Sequence, residues 1–464
     1  MTTRSTGPCA AKSVRSAKNS RSTRAWSATD PETRMEFPQL IAIRQVFPEL
    51  PAIDDHAAVL RAKLAESGLL ERIGRGQRVA LAVGSRGMNG LAAMVRALAD
   101  AVKGRGAEPF ILPAMGSHGG ATAQGQTAIL DALGLNGQSC GAPVVSSMET
   151  VDFGPGATEG AHVVVSRDAV EADAVIVLNR IRSHTAFQGS VESGLLKMVV
   201  VGLGKEDGAR AYHLYSLRSK FPRYMIELAG GIMERVNVLG GVGVVEDALG
   251  RTVRLEAVPA AEFERREAEL LSFYKQNAPK LPFSAADVLI VERMGKDISG
   301  AGLDTNVIGR SRHPVRPEPD SPRIRRIWVR TLTPGSHGNA KGVGLADFIS
   351  PQLASAVDLD ATVKNSVAAL VPEHAFLPPS LESERQILAE CLRSSGVVDP
   401  CEAGIAWIRD TLDLSRLLVS PALKSALSKM AELSGSSAGI GLMFDDDGAL
   451  DSFDRHWEQA AESS

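Results

Sequence analysis

From residue 78 onward the chain alternates short apolar runs with amphipathic stretches in units of about 30 residues, the pattern of a parallel α/β layer. The runs at 79–83, 110–112, 144–146, 162–165 and 175–178 are short and apolar enough to be buried strands. Between the first two, Leu91, Met94, Val95, Leu98 and Val102 fall on one face of a helix over 91–102. Residues 242–256 alternate in polarity around Leu249-Gly250-Arg251 and predict a hairpin, followed by a charged helix over 260–276. Asn277-Ala278-Pro279 and Pro282 then mark a boundary, beyond which 288–291 predicts a further buried strand. The fold class expected is α/β: two α/β domains with mostly parallel sheets and an active-site cleft between them. The N-terminal domain spans 35–278, and the C-terminal domain 279–464 closes the cleft. Residues 310–326, rich in Pro, Arg and Ser, read as an exposed loop, and 460–464 as a frayed end.

Composition narrows the class without naming a function. At 464 residues, 44% hydrophobic and 23% charged, the chain has the balance of a globular protein with two cores. A net charge of −3 and the lack of an aromatic-basic module exclude nucleic acid as an expected partner. No apolar run reaches the 18 or so residues that cross a bilayer, so no membrane association is expected. Cys9, Cys140, Cys391 and Cys401 contain no CxxC pair, which argues against zinc or iron-sulfur sites and for a reducing cytoplasm. Residues 1–34 carry six Lys/Arg between Arg4 and Arg24 and no acid before Asp30. They read as a disordered or mis-called extension ahead of Met35, or as a targeting segment.

Chemistry concentrates in the loops that follow the predicted strands, where open α/β sheets gather ligands. In the first, Gly84-Ser85-Arg86-Gly87, backbone amides and Arg86 suit a carboxylate or phosphate; a plain Gly-Ser turn with a surface arginine is the alternative. The second, Met115-Gly116-Ser117-His118-Gly119-Gly120, sets a histidine among glycines that permit close backbone approach to a ligand, or simply make a turn. The third runs from Asn179 and Arg180 through Arg182, His184 and Phe187 to Lys197, and on to His213. Lys197 lies between Leu195-Leu196 and Met198-Val199-Val200-Val201, so its amine is either desolvated and nucleophilic or snorkels to solvent. Gly202-Leu203-Gly204-Lys205 lacks the spacing of a Walker or dinucleotide loop. No HExxH occurs and no Gly-x-Ser-x-Gly forms a nucleophile elbow between a predicted strand and a predicted helix, so neither a zinc hydrolase nor a serine triad is supported. Of the other histidines, His56, His162, His313, His374 and His456 read as structural or surface residues. His337, in Pro334-Gly335-Ser336-His337-Gly338-Asn339-Ala340-Lys341-Gly342, has a setting like that of His118 and is a candidate cleft residue.

An arginine loop, a Gly-Ser-His-Gly loop, a histidine upstream of a lysine and a second histidine sixteen residues beyond that lysine together resemble the lactate racemase family of nickel-pincer enzymes over residues 84–256. The resemblance implies a nickel-pincer nucleotide, pyridinium-3-thioamide-5-thiocarboxylic acid mononucleotide, attached to Lys197, with His213 as nickel ligand and Gly84 and Ser85 beside the cofactor. It implies His118 and His184 as paired acid/base groups, Arg86 as the carboxylate grip, and Lys296 as the lysine contributed by the second domain. Trp328 and Trp407 each answer to an active-site tryptophan of the family. Three positions depart from the family pattern. Val83 stands where an acid precedes the arginine, Arg293 stands where a glutamine precedes Lys296, and His184 lies thirteen residues before Lys197, a longer spacing than in the lactate enzyme. These changes point to a hydroxy acid longer or more polar than lactate.

The implied activity is racemisation or epimerisation of a 2-hydroxy carboxylic acid. Its α-hydrogen is too weakly acidic for direct removal by histidine, whereas hydride transfer gives a planar keto acid that can be reduced on either face. Cofactor-making proteins are the implied transient partners. The alternatives are a cofactor-free protein of the same fold that binds a sugar acid or phosphate, and a related enzyme with net redox or elimination chemistry.

Overall fold

The computed structural model describes residues 35–156, 161–216, 222–314, 317–429, 431–434 and 439–462. Cys9 and the basic stretch within 1–34 lie outside the described residues, as do 463–464. Phe37–Ser464 groups as one compact unit. Its strands, in chain order, are Ile41–Gln45 (β1), Arg78–Val83 (β2), Glu108–Pro113 (β3), Thr150–Pro155 (β4), His162–Ser166 (β5), Ala174–Arg180 (β6) and Val238–Glu246 (β7). Thr252–Pro259 (β8), Ala285–Met294 (β9), Arg323–Leu332 (β10), Phe348–Ile349 (β11), Ile405–Ile408 (β12), Arg416–Val419 (β13) and Ala431–Leu433 (β14) follow.

The first sheet has the order β3-β2-β6-β7-β8, parallel throughout except for the β7–β8 hairpin predicted from the alternation of 242–256. Strands β2 and β6 are nearly continuous apolar runs because both of their faces are covered. The helix Leu91–Gly104 buries Leu91, Met94, Val95, Leu98 and Val102, the stripe its sequence set out. Two predicted strands lie elsewhere. Residues 144–146 give a single bridge, Val144 to Ile111. Strand β5 pairs antiparallel with β4 in a separate ribbon; its Val163 and Val165 bury against Tyr212 and Leu228 on neighbouring helices, so their apolarity needs no sheet neighbour.

The second sheet has the order β11-β10-β9-β12-β13-β1-β14. Its first four strands are parallel and the rest antiparallel. Strand β1, inside the 35–278 range assigned to the N-terminal domain, belongs to this sheet, pairing Ile41 with Val419 and Ile43 with Leu433. Strand β10 starts at Arg323, within the stretch read as loop, because its first residues alternate Arg and Ile at an exposed end. The C-terminus is likewise more ordered than its composition implies: Phe453–Glu462 is a helix that buries Phe453, His456, Trp457 and Ala460. Among the described residues no helix is long and apolar enough to cross a membrane.

Candidate functional site

Strand order decides which loops meet. Because β3, β2 and β6 are parallel neighbours, the loops leaving their carboxyl ends lie side by side: His118 after β3, Arg86 after β2, and Arg182 and His184 after β6. The carboxyl ends of β9 and β10 face them from the second sheet. Arg86 Nη1 donates to the Lys296 carbonyl. Arg182 Nη2 donates to Asp304 Oδ2 at 2.9 Å, and Thr305 Oγ1 donates to the Thr185 carbonyl at 2.9 Å. Asn306 Nδ2 reaches the His184 carbonyl at 3.4 Å. A depression of about 850 Å³ bordered by Asp287, Glu318, Arg323 and Glu402 sits at the opposite, amino ends of β9 and β10 and contains none of the candidate residues.

His118 shares a hydrogen bond through Nδ1 with Ser85 Oγ. Its loop is built from below: Gln126 Nε2 donates to the Gly116 carbonyl at 2.8 Å, and the buried Lys205 Nζ holds Gln126 Oε1 at 3.1 Å and the Pro113 carbonyl at 2.7 Å. Lys205 is therefore a strut inside the domain and not a phosphate ligand. Gly119 has φ +70°, and a Cβ there would come within 2.5 Å of the Gly125 backbone, so this glycine serves loop packing rather than ligand approach. The His118 ring is open to the cleft at its surface yet enclosed by protein beyond it. That enclosure, reinforced by the charges of Arg86, Lys296, Lys197 and Lys341, pushes its pKa down to about 3. The ring is neutral at neutral pH.

Lys197 ends the short helix Leu195–Lys197, after which Met198–Gly202 widens into a π turn. The buried carboxylate of Glu267 accepts from Leu196 N at 2.9 Å and from the Leu195 amide, capping the helix start. Gly194 is required by this approach, since a Cβ there would lie 2.4 Å from that carboxylate. Glu267 itself is pushed up to about 7 by burial. The Lys197 amine is half-buried, 5.8 Å from the Phe187 ring centre, and burial together with Arg86, Lys341 and Arg182 lowers it to about 7. Phe187 stacks on His184 at 3.6 Å. Ala186 N donates to His184 Nδ1 at 2.9 Å, which places the proton of the neutral ring on Nε2. His213, on the helix Lys205–Ser216, is lowered to about 3 by burial, Lys341, Lys197 and His313.

From the second sheet, Lys296 Nζ donates to the Gly300 carbonyl at 2.8 Å and to Asn365 Oδ1 at 3.0 Å, and burial with Lys341 and Arg86 holds its pKa well below the lysine range. Arg86 is lowered by burial and by Arg182 and Arg180, with Asp297 opposing. Gly84 lies at the β2 end against Met198. His118, Arg86, Lys197, Lys296 and His213 thus share one cleft, and the His184 loop joins its rim through Asn306.

Several readings change. Trp328 is fully buried with Nε1 on Ser350 Oγ at 2.9 Å, and Trp407 is fully buried against Phe453 and His456, so both belong to the second core and neither faces the cleft. His337 is an exposed left-handed turn residue, whereas Lys341, four positions on, acts on the site. His313, read as a surface or structural residue, lies within electrostatic reach of His213. Arg293, where the family pattern has glutamine, is drawn into an ion pair with Asp410 at 2.8 Å. The remaining histidines have structural partners: His56 on Thr252, His162 on Asp152, His374 on Ser311 and His456 on Met443. Among the described residues no group of three or more His, Cys, Asp or Glu is arranged to hold a metal ion.

Two sheets whose carboxyl edges enclose a cationic, histidine-bearing cleft define the class: an α/β protein with a lactate racemase-like fold. Residues 84–258 match the family described as "Domain of unknown function (DUF362)". Among solved structures, the chain is similar to the lactate racemase apoprotein from Thermoanaerobacterium thermosaccharolyticum, at 14% identity and a TM-score of 0.50, over 81% of this chain and 99% of that one. No curated protein sequence matches the chain.

Proposed function

We propose that this protein is an isomerase, a racemase or epimerase of a 2-hydroxy carboxylic acid that works with a nickel-pincer nucleotide. The observation that carries the reading is the pairing in one cleft of a lysine lowered to about 7 with a histidine lowered to about 3. At neutral pH Lys197 has a substantial fraction of free amine, as covalent attachment to a carboxyl-bearing cofactor arm requires. His213 is an unprotonated imidazole, the form that binds a divalent metal such as nickel. Since among the described residues no three His, Cys, Asp or Glu are grouped to hold a metal ion, a nickel ion here would take His213 from the chain and its other ligands from the nucleotide. The donor set fits the group.

The chemistry that such a cofactor supplies is reversible uptake of hydride from the α-carbon of the acid. The chain's residues do the rest. Arg86, one Nη1 hydrogen fixed on the Lys296 carbonyl, keeps its other donors for the carboxylate. His118 is neutral and takes the hydroxyl proton at Nε2, in the tautomer whose Nδ1–H donates to Ser85 Oγ. His184, with Nδ1 engaged by Ala186, presents Nε2–H as a donor to the oxygen. One histidine accepts where the other donates, an arrangement suited to moving a proton off one enantiomer and onto the other.

Protein made in a host that synthesises the cofactor should carry about one nickel per chain and a mass increment on the peptide containing Lys197. Both should vanish in Lys197→Ala. A clean Lys197 peptide from such a host overturns the reading and leaves a cofactor-free anion-binding protein. Single enantiomers of hydroxy acids, followed by optical rotation, separate racemisation from net oxidation to a keto acid.

A further inference from the structure

We propose that Lys341 binds a second anionic group on the substrate, so that this site prefers a dianionic hydroxy acid, bearing a further carboxylate or a phosphate, over a monocarboxylate. This deepens the racemase reading and rests on it.

The turn that presents Lys341 is fixed on both sides. Ala340 N donates to Thr362 Oγ1 and Gly342 N to the His374 carbonyl, at 2.9 and 2.8 Å. The Lys341 carbonyl backs onto Gly302, where an added Cβ would stand 2.4 Å away, so the turn is pressed against the loop that carries Lys296. The side chain is half-buried, and its charge acts on Lys296, His118 and Lys197, which places it in the cleft.

The charges around it set it apart. Arg180 and Arg182, which flank Arg86, each have a carboxylate partner, Glu246 and Asp304. Lys296 has the Gly300 carbonyl and Asn365, and Asp297 offsets Arg86. Lys197 would lose its charge on acylation. Among the described residues Lys341 Nζ has no hydrogen bond or ion pair, and it lies within electrostatic reach of Arg86, His118, Lys197, His213 and Lys296, none of them anionic. One carboxylate on Arg86 leaves this ammonium unanswered. A second anion, carried by the same ligand, answers it.

The cofactor's own phosphate is the competing source of that charge, and binding to the cofactor-free full chain distinguishes the two. Calorimetric titration would use lactate, malate, 3-phosphoglycerate and nicotinic acid mononucleotide, against wild type, Lys341→Met and Lys341→Gln. Malate or 3-phosphoglycerate should bind wild type about tenfold to a hundredfold more tightly than lactate, as expected for one charge-assisted contact. Both substitutions should abolish that preference while leaving lactate affinity in place. Either variant suffices if the other does not fold, as judged by its thermal transition. Equal binding of lactate and malate, binding of none of these acids, or a loss confined to the mononucleotide overturns the proposal. Nickel and the Lys197 mass increment are read separately, so failure of this proposal and failure of the racemase reading are distinct results.

Discussion

Replacing Lys197 by methionine should make the protein more stable at acid and neutral pH. A folded-state value of about 7 against 10.5 for a free lysine corresponds to about 5 kcal/mol held against the charged amine. The amine opens onto a cleft that admits water, so a realised cost of about 2 kcal/mol is the better expectation. The sign follows from proton counting. Below pH 7 the amine is charged in both states and the full cost is present. Between about 7 and 10.5 the unfolded chain holds a proton that the folded chain has released, so wild-type stability climbs with pH. Above that range the cost is gone. Lys197→Met should therefore melt roughly 4–8 °C higher than wild type at pH 6, using about 2–4 °C per kcal/mol for domains of this size, and the difference should shrink toward pH 10. Differential scanning calorimetry at pH 6, 8 and 10 measures it. A variant no more stable at pH 6, or a gap independent of pH, refutes the account of Lys197 as a desolvated amine among cations.

His118→Ala should lower kcat/KM by about 10²- to 10⁴-fold, and because His118 is lowered to about 3, wild-type kcat/KM should show no His118 titration between pH 5 and 8. An inflection near 6.5 that disappears in the variant counts against that environment. Glu267→Gln and Glu267→Ala should diverge: glutamine still accepts from the Leu195 and Leu196 amides, whereas alanine orphans them at about 1–3 kcal/mol in chemical denaturation. Since Glu267 is raised to about 7 from 4.5, the folded chain keeps a proton that the unfolded chain loses. Wild-type stability thus falls across that window, and the glutamine variant gains on wild type as pH rises through it. Asp304→Asn removes the partner of Arg182 and should raise hydrogen exchange in residues 182–187 while leaving 91–104 unchanged; equal protection throughout would show that the contact does not hold the His184 loop.

The parallel core was legible because strands covered on both faces must be apolar throughout, as β2 and β6 are, and because Leu91–Gly104 repeats its stripe at helical spacing. Strand β1 was not, since five residues far from their partners in sequence carry no sign of which sheet they complete. The candidate residues of the first sheet stood out for being polar groups at strand ends. Lys341 did not, since the glycines around His337 drew attention to the wrong member of the same turn, and only the folded chain shows His337 exposed while Lys341 acts on Arg86, His118 and Lys197. The two tryptophans misled for a related reason: a large aromatic on a central strand is core unless its strand end is reached, and Trp328 and Trp407 both lie inside β10 and β12.

The hydrogen bonds that cross from one sheet to the other, from Arg86 to Lys296 and from Arg182 to Asp304, also tie the protein's shape to its protons. Lys341 comes from one side and lowers His118, Lys197 and His213 on the other, while Arg86 in return lowers Lys341 and Lys296. Assembling the two sides is thus a proton-releasing event, and the amine of Lys197, lowered by its own burial and by Arg86, owes a further part of its nucleophilicity to a lysine that the other sheet supplies.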